Sequence, residues 1–299
     1  MDGTFAVNAQ TRKSLDIIAF ADGLPSAELL RFVQRLETLG YETVWIPEFF
    51  GREPYSTVAY LLGRTRHIKI ATGIANVYAR DAIVTAQHRH GLAELSEGRF
   101  VLGLGVSHPP MAEAHGAVWQ PPLKKMREYL DVLESFNVQA PKPQTLAPLW
   151  ISAHGPKLLG LAADRADGAN TYLAPPAHTR NARQILGPDK RLNVVLHCCL
   201  CEDPVSARAA ARRALSIYMP LPAYHRLWQA WGFGPADYEN GPSDRLIDAL
   251  VAWGSQEAIA ARMNAHLEAG ATQIVMSPVQ AEGRETPWAL IEAMAPQPV

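Results

Sequence analysis

The chain has 299 residues, 48% of them hydrophobic, which is enough for one large core, since α/β barrels pass roughly 200 residues as single domains. Formal net charge is −1 with both signs mixed along the chain, so no basic face invites nucleic acid or anionic lipid. No run of about 18 apolar residues could span a bilayer, and the opening MDGTFAVNAQTRKS lacks the apolar middle of a signal peptide, so the expectation is a cytoplasmic protein without membrane partners.

LDIIAF, starting at Leu15, is short, apolar and β-rich. A helical pattern follows, with Leu29, Phe32, Val33 and Leu36 at helical spacing, Ser26 able to cap its start and Gly40 its end. ETVWIP and HIKIATG read as the second and third strands, a helix runs from Asp81 to Glu97, and Arg99 to Gly105 is the fourth strand. Gly103-x-Gly105 suggests a dinucleotide loop, but the third glycine is missing: His108 takes its place. Pro109 and Pro110 then favour an extended or turning backbone over a helix.

PLWISA (Pro148 to Ala153) is the fifth strand, and Pro156 suits the first turn of the helix after it. GANTYL is the sixth and LNVVLHCCLC the seventh, with Asp203-Pro204 opening an alanine-rich helix. Strand alternation sends Cys198 to one face and Cys199 and Cys201 to the other, which suits small buried residues and not a metal site. A Pro-, Tyr- and Trp-rich stretch, within an insertion at about 205–245, is longer than an ordinary connection and fits a lid or partner surface. TQIVMS (Thr272 to Ser277) is the eighth strand. Eight apolar strands, each followed by a helix, predict a (β/α)8 TIM barrel, class α/β, as one domain.

In such a barrel the chemistry gathers at the C-terminal strand ends. Those ends offer Asp22, Glu48, Phe49, Gly73, Ile74, Asn76, Ser107, His108, Ser152, His154, Lys157 and Ser277. SAHGPK is the most informative of them: the chain turns through Gly155, and Pro156 starts a helix whose free N–H groups and positive dipole end, with Lys157 beside them, suit an anion such as phosphate. Nothing supports phosphoryl transfer, because no G-x-x-x-x-G-K-[ST] loop is present. His88 and His90, two apart on a helix, do not share a face for a metal, and no metal is expected.

GYETVWIPEFFGREPYS, IKIATGIANVYARD, LAELSEGRFVLGLGVSH and ISAHGPKLLGLAADRADG, in this order and spacing, resemble the luciferase-like monooxygenase superfamily, and more closely its coenzyme F420-dependent (deazaflavin) oxidoreductase branch. The resemblance implies a barrel that lays a flavin or 5-deazaflavin ring across its mouth, with a cis peptide between Gly73 and Ile74. It implies Glu48 near the cofactor, as first candidate for proton transfer, with His108 and His154 behind it. It places Gly73, Ile74, Asn76, Val106, Ser107, Ser152, Ala153, His154, Gly155, Pro156 and Lys157 along the cofactor. One departure matters: sugar-phosphate dehydrogenases of the branch carry a histidine after the acid, where this chain has Phe49. The expectation is hydride transfer between coenzyme F420 and a small organic substrate by a homodimer. The alternatives are an FMN-dependent monooxygenase and a non-catalytic flavin-binding protein.

Overall fold

The computed structural model describes residues 15–20, 22–283 and 285–296. The N-terminal stretch that lacks a signal-peptide pattern lies outside them. In chain order the elements are β1 (Leu15–Ile18), α1 (Ser26–Thr38), β2 (Thr43–Ile46), α2 (Pro54–Leu62), β3 (Lys69–Thr72), β4 (Ala75–Asn76), α3 (Ala82–Leu95) and β5 (Phe100–Gly105). Then come α4 (Pro109–Ala114), α5 (Pro122–Ser135), β6 (Leu149–Ser152), α6 (Pro156–Arg165), β7 (Gly168–Tyr172), α7 (Pro176–Leu186) and β8 (Arg191–Leu200). The chain ends with α8 (Pro204–Leu215), α9 (Pro222–Gln229), α10 (Asp244–Leu250), β9 (Val251–Gly254), α11 (Gln256–Glu268), β10 (Gln273–Pro278) and α12 (Trp288–Met294). Parallel strands alternating with helices give the expected (β/α)8 barrel class, with β4 and β9 as short additional strands. By contacts the chain forms two compact units, one of Ile18–Asn170 and one of Thr171 onward with the start of β1.

In the Ile18–Asn170 unit the strands pair in the order β2–β3–β5–β6–β7, all parallel, and β4 pairs with the end of β5. Their apolar runs are buried on both faces, as a helix-covered sheet requires. The two glycines of β5 serve close packing: a Cβ on Gly103 would lie 2.2 Å from the Thr72 carbonyl oxygen, and one on Gly105 2.6 Å from Ile74 Cδ1. Thr72 locks this approach, its hydroxyl donating to Gly103 O (2.8 Å) and accepting from Gly103 N (2.9 Å).

Two local expectations are corrected here. Pro109 and Pro110 open α4 with His108 at the N-cap, because a first-turn proline forfeits only an N–H that has no helical partner and already has helical φ. Pro25 is the N-cap of α1, which makes Ser26 the first helical residue. Gly40 does turn the chain into β2, with φ 81°.

In the other unit β1 pairs with β10, β10 with β8, and the C-terminal half of β8 with β9. The sequence pattern missed β9, whose four residues, VAWG, follow directly on α10 and end in glycine. Within the expected insertion, Tyr218, Tyr224, Leu227, Trp228, Phe233 and Tyr238 are buried in a cluster with Leu173 and Leu246, so this stretch is a packed layer. Cys198 and Cys199 are buried and all three cysteines are free thiols.

Candidate functional site

Glu48, two residues past the end of β2, is buried with its side chain 6% exposed. Its carboxylate accepts the backbone N–H of Asn76 (2.6 Å) and meets the Arg80 guanidinium through both nitrogens, Nη1 at 3.0 Å and Nη2 on the other oxygen. Such a two-pronged pair is the strong form of a charged hydrogen bond. Burial works against the Arg80 charge, and the Glu48 carboxylate outweighs it, holding the pKa of Arg80 above its usual value. Three elements position this arginine. Tyr55 of α2 lies under it, 4.9 Å from ring centre to guanidinium carbon. Glu53, whose carboxylate also caps α2 through Ser56 N, reaches Nη2 at 3.3 Å. From α5, the Tyr129 hydroxyl donates to the carbonyls of Arg80 and Asp81, and Asp81 caps α3 through Val84 N.

Asn76, in β4, is 1% exposed. Its side-chain oxygen accepts Tyr78 N (3.0 Å), while its Nδ2 donor has no partner among the described residues. A buried amide donor without a partner costs roughly 1–3 kcal/mol, so this atom is an unmet polar demand at the end of β4. Before it stands the Gly73–Ile74 peptide bond, which is cis. Ile74 packs where Gly105 leaves room, beside Ser152.

At the end of β5, Val106 is buried, Ser107 has φ 57°, and His108 caps α4, with burial lowering its pKa. After β6, Ala153 is buried and gives its N–H to Asn170 O, His154 is half-buried, and Gly155 is the N-cap of α6 with Pro156 in the first turn. No side chain caps this helix, and Lys157 is exposed beside it. The uncapped helix start and the lysine therefore lie side by side just after β6. The expected residues from Glu48 to Lys157 all belong to the Ile18–Asn170 unit; Ser277 belongs to the other, in register with His197.

Asp22 has a local task, accepting Arg52 N at 3.0 Å. Phe49 is exposed, its ring 6.0 Å from that of Phe20. His88 stacks on Tyr55 at 4.3 Å, a packing role. Among the described residues no His, Cys, Asp and Glu cluster could hold a metal, and no helix is long and apolar enough to cross a membrane. Arg80, Tyr55 and Glu53 escaped the sequence reading. The available signal was a lone arginine directly before the Asp81 cap, in a motif already singled out, opposite a strand-end carboxylate.

Residues 4–273 match the family model described as luciferase-like monooxygenase. The chain is 27% identical over 302 residues to a 5,10-methylenetetrahydromethanopterin reductase of Methanolobus tindarius, covering 86% of this chain and 92% of that protein. Its fold is similar to that of an F420-dependent secondary alcohol dehydrogenase solved with an F420-acetone adduct (TM-score 0.76, 16% identity, 94% and 96% of the two chains). It is also similar to the oxygenating constituent of the 3,6-diketocamphane monooxygenase of Pseudomonas putida, solved with FMN (TM-score 0.70, 15% identity, 94% and 96%). With a family model spanning most of its length, this chain belongs to the luciferase-like monooxygenase family.

Proposed function

We propose that this protein is a deazaflavin-dependent oxidoreductase, binding coenzyme F420 and exchanging hydride with a small organic substrate. The observation that carries the reading is the buried Glu48–Arg80 pair holding Asn76 with its Nδ2 donor unpaired. That donor fits a polar edge of a ring. The uncapped start of α6 with Lys157 fits the cofactor's phosphate, and Val106, Ser107, Ser152 and His154 fit the chain between. The sequence relative favours F420 over FMN, since it covers nearly its whole length and is a methanopterin reductase, whereas the FMN-bound neighbour is alike in fold alone.

When bound, a 5-deazaflavin supplies a ring carbon that gives or takes hydride and reacts poorly with oxygen. The chain's own tasks are then positioning and proton handling. Glu48 is spent on Arg80 and Asn76, which suits it to fixing the cofactor's surroundings and leaves it poorly placed to release a proton. His108, at the N-cap of α4 beyond the end of β5, is the alternative proton carrier, with burial favouring its neutral form. A structure with coenzyme F420 bound tests the arrangement. Asn76 Nδ2 is expected on the ring and the phosphate at residues 155–157; a cofactor bound away from both overturns it.

A further inference from the structure

In the Thr171-onward unit, a chain of polar groups runs through a shell of aromatic rings. The Tyr172 hydroxyl, at the C-terminal end of β7, bonds His197 Nε2 of β8 at 2.7 Å and the Tyr218 hydroxyl at 2.9 Å. His197 and Tyr218 are buried, at 4% and 6% exposure, and Tyr172 is half-buried. Tyr224 packs edge-on against both tyrosines, and its own ring stacks on Trp228.

The backbone beside Tyr172 is also unusual. Leu173, buried and branched, sits at φ 51°, a left-handed conformation that non-glycine residues rarely adopt. Trp228 Nε1 holds it there by donating to Leu173 O at 3.0 Å. Backbone strain enforced at a strand end marks functional sites, and this one directly follows Tyr172.

We propose that Tyr172 is a substrate-recognition residue whose hydroxyl oxygen accepts a hydrogen bond from the hydroxyl of an uncharged organic substrate, with His197 as its positioning residue. The class of substrate follows from counting. A tyrosine hydroxyl has one proton and two lone pairs. If Tyr172 donates to Tyr218, it accepts from His197; if it donates to His197, it accepts from Tyr218. Either way one lone pair remains, and it calls for a donor. A carboxylate or phosphate, having only acceptors, is disfavoured there. The surroundings agree: among the described residues every side chain bonded or stacked on the trio is uncharged. Burial, chiefly, raises the pKa of Tyr172 well above the usual value and lowers that of His197 to about 4, so both are neutral at neutral pH.

This inference deepens the oxidoreductase reading, because a hydroxyl compound is a hydride donor, and it rests on that reading for the word substrate. Calorimetric titration of the protein, with and without F420 present, with phenol and with anisole, which keeps the ring and the oxygen but has no O–H, tests it. Phenol is expected to bind at least about tenfold more tightly. Tyr172→Phe should erase the difference, His197→Ala should reduce it, and His197→Gln should restore part of it, all with F420 affinity unchanged. Equal binding of the two probes, no binding of phenol, or a preference that survives Tyr172→Phe overturns the proposal. Titrating the same proteins with F420 separates the two readings: a phenol preference without F420 affinity sinks the cofactor assignment and leaves the hydroxyl site standing.

Discussion

Arg80 is held by Glu48, Glu53 and the face of Tyr55, with its side chain only 11% exposed. Removing it strands the buried Glu48 carboxylate, which costs about 3–5 kcal/mol. Glu48→Gln is milder, about 1–2 kcal/mol, since the amide oxygen still accepts Asn76 N and Glu53 still balances the arginine. Urea unfolding of Arg80→Ala and Glu48→Gln should show this asymmetry; equal losses would mean the pair is not the organising contact. Glu48 was legible in the sequence as a polar residue just past an apolar strand. Arg80 was not, because the contact joins residues 32 positions apart and depends on how β2 and β4 approach. Tyr172 ended a run read correctly as a strand, yet its meaning comes from His197 and Tyr218, which the chain supplies much later.

At the scale of elements, periodicity located the eight main strands and a minority of helix ends, because burial on both faces leaves unbroken apolar runs. Among the strands the misses were short pieces fixed by neighbours: β4, which among the described residues pairs with the end of β5 alone, and β9, which pairs there with β8 alone. The loop before β3 shows what such fixing is worth. Glu37, at the end of α1, accepts the backbone N–H groups of Arg66, His67 and Ile68 at 2.8, 2.6 and 3.0 Å. Burial alone would raise its pKa; the three donors and nearby His67 outweigh it and hold the carboxyl below its usual range. A depressed carboxyl pKa stabilises the fold above the unfolded value and loses that contribution as pH falls through the folded one. Glu37→Gln should therefore cost about 1 kcal/mol at neutral pH, solvent screening limiting the loss. The gap should close as pH falls through the lowered folded-state pKa, where the wild-type carboxyl is itself protonated. A gap independent of pH would assign the loss to packing.

Across the whole molecule, two buried histidines make the fold sensitive to acid. Burial lowers His197 to about 4, against a backbone contact at Ser277. Burial, with the charges of Arg262 and His178, lowers His266 to about 3, and its Nδ1 meets the Thr179 hydroxyl at 2.8 Å. Both stay neutral in the fold and charge readily once unfolded, so stability is intact above about pH 6.5 and is lost as pH falls below it, by roughly 2–3 kcal/mol for each by about pH 4. His266→Gln should flatten that decline in urea midpoints; an unchanged slope would remove His266 from the explanation.

The same scale holds the central claim, that this luciferase-like barrel serves a deazaflavin. The direct measurement is fluorescence titration of the purified protein with coenzyme F420 and with FMN. Binding of F420 at least about tenfold tighter than FMN, weakened in Asn76→Ala and Lys157→Ala, is the predicted result. Tight FMN binding with oxygen-dependent consumption of the reduced flavin, and weak or absent binding of F420, would contradict it.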